Sequence, residues 1–97
     1  MVIIYTLEGC RFCQEAIRLL QEEGILYQEF EESKHTVKCE RLQEALNTDY
    51  YPIIKIPSPN QPLFIISDSS EYPRSPYPHL LYYKSIPHLI QLIKTNI

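Results

Sequence analysis

No run of basic residues, no apolar stretch of membrane-spanning length and no dispersed set of paired cysteines occurs in this sequence. Each absence removes a class of function. Nine Lys and Arg are scattered against twelve Asp and Glu, for a formal net charge of −3. Without a basic stripe, nucleic acid is not the expected partner. Every apolar run falls far short of the ~20 residues that cross a bilayer, so no membrane role is expected. The opening Met1-Val2-Ile3-Ile4-Tyr5-Thr6 lacks the positively charged start of a secretory leader. Three cysteines are an odd and small set for a disulfide-stapled secreted fold. Two close thiols and one distant one fit a reducing compartment, and the expected location is cytoplasmic.

What is present suffices for one domain. The 97 residues are 44% hydrophobic, enough for a core without staples or a structural metal. Val2 to Thr6 is short, β-branched and aromatic, as a buried strand requires. Leu7-Glu8-Gly9 turns the chain into a helix in which Cys13, Ala16, Ile17 and Leu20 recur at i, i+3, i+4, i+7. Gly24 can stop that helix in a left-handed cap, and Ile25 to Phe30 predicts a second strand, parallel to the first. Ser33 or Thr36 can cap a second helix running to Asn47, with Val37, Leu42, Ala45 and Leu46 turned inward.

All eight prolines lie between Pro52 and Pro87, so no long helix is expected there before the end. Ile53 to Ile56 and Leu63 to Ile66 predict a hairpin across a turn-rich connection. Residues 67–84 are rich in Pro and Tyr and read as an irregular insertion. Ser85 then caps a final helix with Pro87 in its first turn and Ile86, Leu89, Ile90, Ile93 and Ile97 along one stripe. The predicted order is β-α-β-α-β-β-α, an α/β fold with a four-stranded mixed sheet.

Two cysteines, Cys10 and Cys13, flank Arg11 and Phe12 where the first strand feeds the first helix. Cys10 would sit at or beside the helix N-cap, where unpaired N–H groups and a partial positive charge stabilise an anion. A thiolate is the nucleophile in disulfide chemistry. Arg11 adds a cation nearby, and Glu8 opposes it. Cys13, three residues on and facing inward, can attack a mixed disulfide on Cys10 and release the reduced substrate. The competing structural reading is a zinc site, for which His35 and Cys39 complete a C-x2-C…H-x3-C pattern. Against it, this CxxC opens an amphipathic helix, and the second helix should pack on the opposite sheet face. Cys39 is then a partly buried helix residue and His35 a solvated one.

Ile4-Tyr5-Thr6, the CxxC, a helix ending at Gly24 and a polar-aromatic strand together resemble the opening of glutaredoxin, the small member of the thioredoxin superfamily. Tyr51-Pro52 opens the third strand at the spacing from Cys10 that short glutaredoxins show. The resemblance implies a three-layer α/β/α thioredoxin-like architecture. It implies that Cys10 is the nucleophile, Cys13 the resolving thiol, and Pro52 a cis-proline facing both. It implies that Arg11 and Phe12 border the substrate and that the Tyr51 backbone pairs with the substrate cysteine, strand-fashion. Ser67 and Asp68 stand where the family binds the γ-glutamyl end of glutathione, without its two glycines, and Leu7 and Glu8 occupy the place of a usual Lys or Arg.

The expected activity is reduction of protein or glutathione mixed disulfides by a monomer, with no bound cofactor and with glutathione as reductant. A thioredoxin-like donor recharged by a reductase is the alternative in the same chemistry. A metal-binding or redox-inactive adaptor is the alternative in another class. Within 67–84 the Tyr and Leu side chains are expected to cover the end of the sheet, with substrate docking as the alternative, and His79 and His88 to serve only surface or packing.

Overall fold

Alternation with a period of two sends the apolar side chains of each strand to both faces of a single sheet. The computed structural model describes residues 1–68, 75 and 77–97. Within them the order is β1 (Val2–Thr6), α1 (Arg11–Glu22), β2 (Tyr27–Glu31), a 3-10 turn (Glu32–Lys34), α2 (Thr36–Leu46), β3 (Ile53–Ile56), β4 (Leu63–Ser67), β5 (Leu80–Tyr83) and α3 (Ile86–Asn96). The strands form one mixed sheet in the order β2-β1-β3-β4-β5. β1 runs parallel to β2, β3 antiparallel to β1 and β4, and β4 parallel to β5.

Val2, Ile4, Ile54, Ile56 and Ile65 meet α1 and α3 on one face, through Ala16, Leu20, Leu89, Ile90 and Ile93. Tyr5, Ile53, Phe64 and Ile66 meet α2 on the other, through Cys39 and Leu46. The result is the three-layer α/β/α thioredoxin-like arrangement. Among the described residues, no helix is long and apolar enough to cross a membrane.

Helix ends follow local chemistry. Gly24 has φ +68, and with it the Ile25 N–H reaches the Leu20 carbonyl at 2.9 Å and the Gly24 N–H reaches Gln21 at 3.1 Å. That pair of bonds closes α1 as a Schellman cap. Ile25 is committed to the cap, so β2 begins at Tyr27, two residues later than the sequence predicts. At α3, the Ser85 hydroxyl accepts the His88 N–H at 3.2 Å, with Pro87 in the tolerant first turn.

Three expectations need correction. The sheet has five strands rather than four, because Leu80–Tyr83 pairs with β4 in parallel register. Prolines crowd the residues before it, but Pro78 and Pro87 leave the stretch between them free to donate and accept. Neither Ser33 nor Thr36 caps α2: the Ser33 hydroxyl donates to Glu31 and the Thr36 hydroxyl to the Glu32 carbonyl. The 3-10 turn leads into the helix instead, its last N–H, at His35, bonding back to Glu31 and Glu32. Val37 and Ala45 face solvent, because α2 meets the sheet along Cys39, Leu42 and Leu46. The expectations for residues 69–74 and 76 lie outside the described residues.

The two-faced core sets a stability prediction. Leu20 is fully buried and Leu26 is 77% exposed. Leu20→Ala should cost about 2–5 kcal/mol by denaturant titration, and Leu26→Ala should stay within about 0.5 kcal/mol of the parent. Equal losses from the two would contradict this placement of the core.

Candidate active site

Four unpaired amides open every α-helix, and the chain arrives at those of α1 through a tight turn. The Cys10 N–H donates to the Leu7 carbonyl at 3.2 Å, and Gly9, third in that turn, has φ +75. A side chain at that position would be strained. Cys10 follows in extended backbone, φ −78 and ψ 110, as the N-cap of α1. Its carbonyl accepts the first helical bond, from Gln14, at 3.1 Å. Its sulfur accepts the Cys13 N–H at 3.1 Å, the part usually played by a Ser or Asp oxygen. The positive end of the helix dipole thus points at the sulfur.

Burial separates the two thiols. Cys10 is half-buried and Cys13 is buried. Burial pushes the Cys13 thiol well above the ordinary thiol range, and its hydrogen bond and proximity to Cys10 raise it further. A backbone hydrogen bond at Leu7 works in the opposite direction without reversing the shift. Both cysteines are free thiols, as is Cys39.

The turn before β3 closes the site from the far side. The Tyr51–Pro52 peptide bond is cis. The Cys10 thiol points to the Tyr51 carbonyl at 4.0 Å. Tyr51 and Pro52 are both buried. The Tyr51 hydroxyl lies against the Cys39 thiol without a hydrogen bond of ordinary geometry, and its pKa is driven up by burial first and by Cys39 next. On the other face of the sheet, the Tyr83 hydroxyl donates to the Pro52 carbonyl at 3.1 Å.

The other predicted residues fall around this centre. Arg11 and Phe12 lie exposed on the first turn of α1, Phe12 at 61%. Leu7, in the preceding turn, and Tyr50, beside Tyr51, are also exposed apolar side chains. Ser67 ends β4 in register with Tyr83, and the Asp68 N–H donates to the Tyr83 carbonyl at 2.8 Å. Ser67 and Asp68 therefore lie at the end of the sheet where β3 begins, the end that carries Pro52.

The alternative ligand set does not assemble. Among the described residues, no three His, Cys, Asp or Glu side chains converge as a metal site. Cys39 is wholly buried under α2, and the His35 ring is only partly buried, packed edge-on against Phe30 at 4.8 Å. Tyr83 was expected only to cover the end of the sheet or to dock substrate along with the other Tyr and Leu side chains of 67–84, with no contact to Pro52 foreseen. One tyrosine among several in a proline-rich stretch carries no signal until the strand pairing places it.

Comparison with known proteins bears on residues 2–57, which match the family model described as Glutaredoxin. No curated protein matches the chain. The match takes in β1 to β3, with Cys10, Cys13, Tyr51 and Pro52, and ends before β4.

The buried acids of this site set an alkaline limit. Cys13, Cys39, Tyr5, Tyr51 and Tyr83 are all pushed up, with burial the largest cause in each. In the unfolded chain they ionise near the ordinary values of 9.0 for thiols and 10.0 for phenols. Their contribution to stability is complete below those values and is lost as pH rises through them toward the folded-state values. The Tm should therefore fall between about pH 8 and about pH 11, and fall less once a Cys10–Cys13 disulfide removes Cys13 from the titration. A Tm flat across that range would contradict the burial assigned to these groups.

Proposed function

The chain belongs to the glutaredoxin family, and from that premise we propose that it is a dithiol oxidoreductase acting on protein disulfides and glutathione mixed disulfides. The observation that carries this reading is the asymmetry of the pair. Cys10 presents a partly accessible sulfur to the helix N-terminus, and Cys13 is buried directly behind it.

In the first step the Cys10 thiolate attacks a substrate disulfide. A Cys10–substrate S–S bond forms, the substrate S–S bond breaks, and the departing thiolate takes a proton from water. Cys13 then gives up its proton to solvent, and its sulfur attacks Cys10 Sγ. The Cys10–Cys13 disulfide forms and the second substrate thiol leaves, so two electrons pass to the substrate. Two glutathione molecules restore the dithiol. The first forms a mixed disulfide on the accessible Cys10 and frees Cys13, and the second takes that glutathione away as glutathione disulfide.

Positioning comes from the walls of the cleft. The Tyr51 backbone offers an edge on which an extended substrate can lie as an added strand. Leu7, Phe12 and Tyr50 give an exposed apolar rim for a protein substrate. Arg11 supplies a cation beside the nucleophile, and Ser67 and Asp68 border the cleft at the end of β4. The chain works as one domain and as a monomer, in a reducing compartment such as the cytoplasm.

A second reading is favoured by one observation. Leu7 and Glu8 stand exposed in the turn before the CxxC, where the family usually has a Lys or Arg for a glutathione carboxylate. A reductase could then recharge the dithiol in place of glutathione. NADPH-coupled assays with each recycling system in turn separate the two. Turnover with glutathione and its reductase is the expected result, and turnover only with a thioredoxin-type reductase selects the second reading. Turnover with neither would rule out both and leave a redox-inactive adaptor.

Within that assay Cys10→Ser should fall to background. Cys13→Ser should keep measurable activity on glutathione mixed disulfides, because that route needs only the nucleophile. Full activity of Cys10→Ser would reverse the roles assigned here.

A further inference from the structure

Two successive carbonyls of the turn before β3 point in different directions. The Tyr51 carbonyl faces the Cys10 sulfur at 4.0 Å, and the Pro52 carbonyl accepts the Tyr83 hydroxyl at 3.1 Å. Only φ and ψ of Pro52 separate these two peptide planes, and the pyrrolidine ring already holds φ. Anchoring the second carbonyl therefore limits where the first can turn.

We propose that Tyr83 is a positioning residue of the dithiol site, its hydroxyl holding the Pro52 carbonyl so that the Tyr51 carbonyl stays directed at Cys10. The inference rests on the proposed dithiol chemistry and assigns part of the site to β5, a strand beyond the family match.

Tyr83 is built for the task. It is 6% exposed, and its hydrogen bond to Pro52 is buried and joins residues far apart in the chain. Its backbone is held by the Asp68 N–H at 2.8 Å and by the parallel pairing with β4. Ser67 sits beside it in register. Both active-centre thiols are close enough to act electrostatically on the phenol, which burial keeps protonated and so able to donate. A phenylalanine would fill the same space and leave the Pro52 carbonyl buried without a donor.

Tyr83→Phe tests this in the full chain, with two readouts. For a peptide mixed disulfide KM should rise about five- to tenfold while kcat stays within about twofold, the signature of lost substrate alignment with chemistry intact. Independently of activity, the Pro52 carbonyl 13C resonance should move upfield as its hydrogen bond is lost. A 4-aminophenylalanine at position 83, which retains a donor, should restore both.

Unchanged KM, or an unmoved Pro52 carbonyl, would overturn the proposal, as would a loss confined to thermal stability. A wild-type protein that reduces no disulfide, with the carbonyl still shifting in Tyr83→Phe, refutes the proposed function and supports the Tyr83 anchor. If Tyr83→Phe does not fold, the wild type decides. A Tyr83 hydroxyl proton protected from exchange supports the anchor, and one exchanging like that of free tyrosine overturns it.

Discussion

The hydrogen bond from the Cys13 amide to the Cys10 sulfur depends on a helix beginning at one particular residue, and much of the structure serves that beginning. A strand must deliver the chain to the end of the sheet, and a three-residue turn with a positive φ at Gly9 must redirect it. Cys10 must then stop in extended backbone so that its side chain folds back over the first turn. Moving the helix start by one residue would put a different side chain on the amides. The cap is a local feature, but it stays put because Cys13, Ala16 and Leu20 anchor α1 in the core. Burying each such side chain stabilises the fold by a few kcal/mol at most, about 1.5–3 for a leucine. Together they outweigh the fraying expected of a three-turn helix on its own.

The same burial divides the labour of the pair. A thiol surrounded by apolar atoms resists ionisation, so Cys13 remains a protonated thiol and Cys10 is left as the accessible sulfur. The asymmetry follows from helix geometry. The N-cap residue projects beyond the first turn, whereas the residue three positions on points toward the sheet. A third cysteine, Cys39, is as deeply buried as Cys13 but belongs to α2 and lies against the Tyr51 hydroxyl. Two cysteines of similar burial thus have different neighbours, and only one has a thiol partner in reach.

The turn opposite the cysteines is gripped from both faces of the sheet. Tyr51 sends its ring to the α2 side, and Tyr83 reaches Pro52 from the side of α1 and α3. A turn that crosses the end of a sheet has few backbone partners of its own, and its carbonyl directions depend on what surrounds it. Here the surroundings come from β5, a strand far along the chain.

The short apolar runs of β1, β3 and β4, the helical stripe of α1, the Gly24 cap and the Ser85 cap were all legible in the sequence, because each depends on residues within a few positions of one another. So was the candidate pair of cysteines at a strand-to-helix junction, for the same reason. The direction of α2's buried face was not, because Val37 and Ala45 have the same local preference as Leu42 and Leu46, and only contact with the sheet chooses between them. β5 was hidden because prolines on both sides of a four-residue strand outweigh its own weak pattern, and parallel pairing with β4 is a long-range event. Tyr83 follows from β5: its hydroxyl meets the Pro52 carbonyl only after two strands, a crossover and a turn are in place. Local spacing alone was enough to put one sulfur at the start of the helix and the other beneath it. The tertiary structure alone decided what holds the opposite wall of the cleft, because that contact joins residues with no local relation to each other.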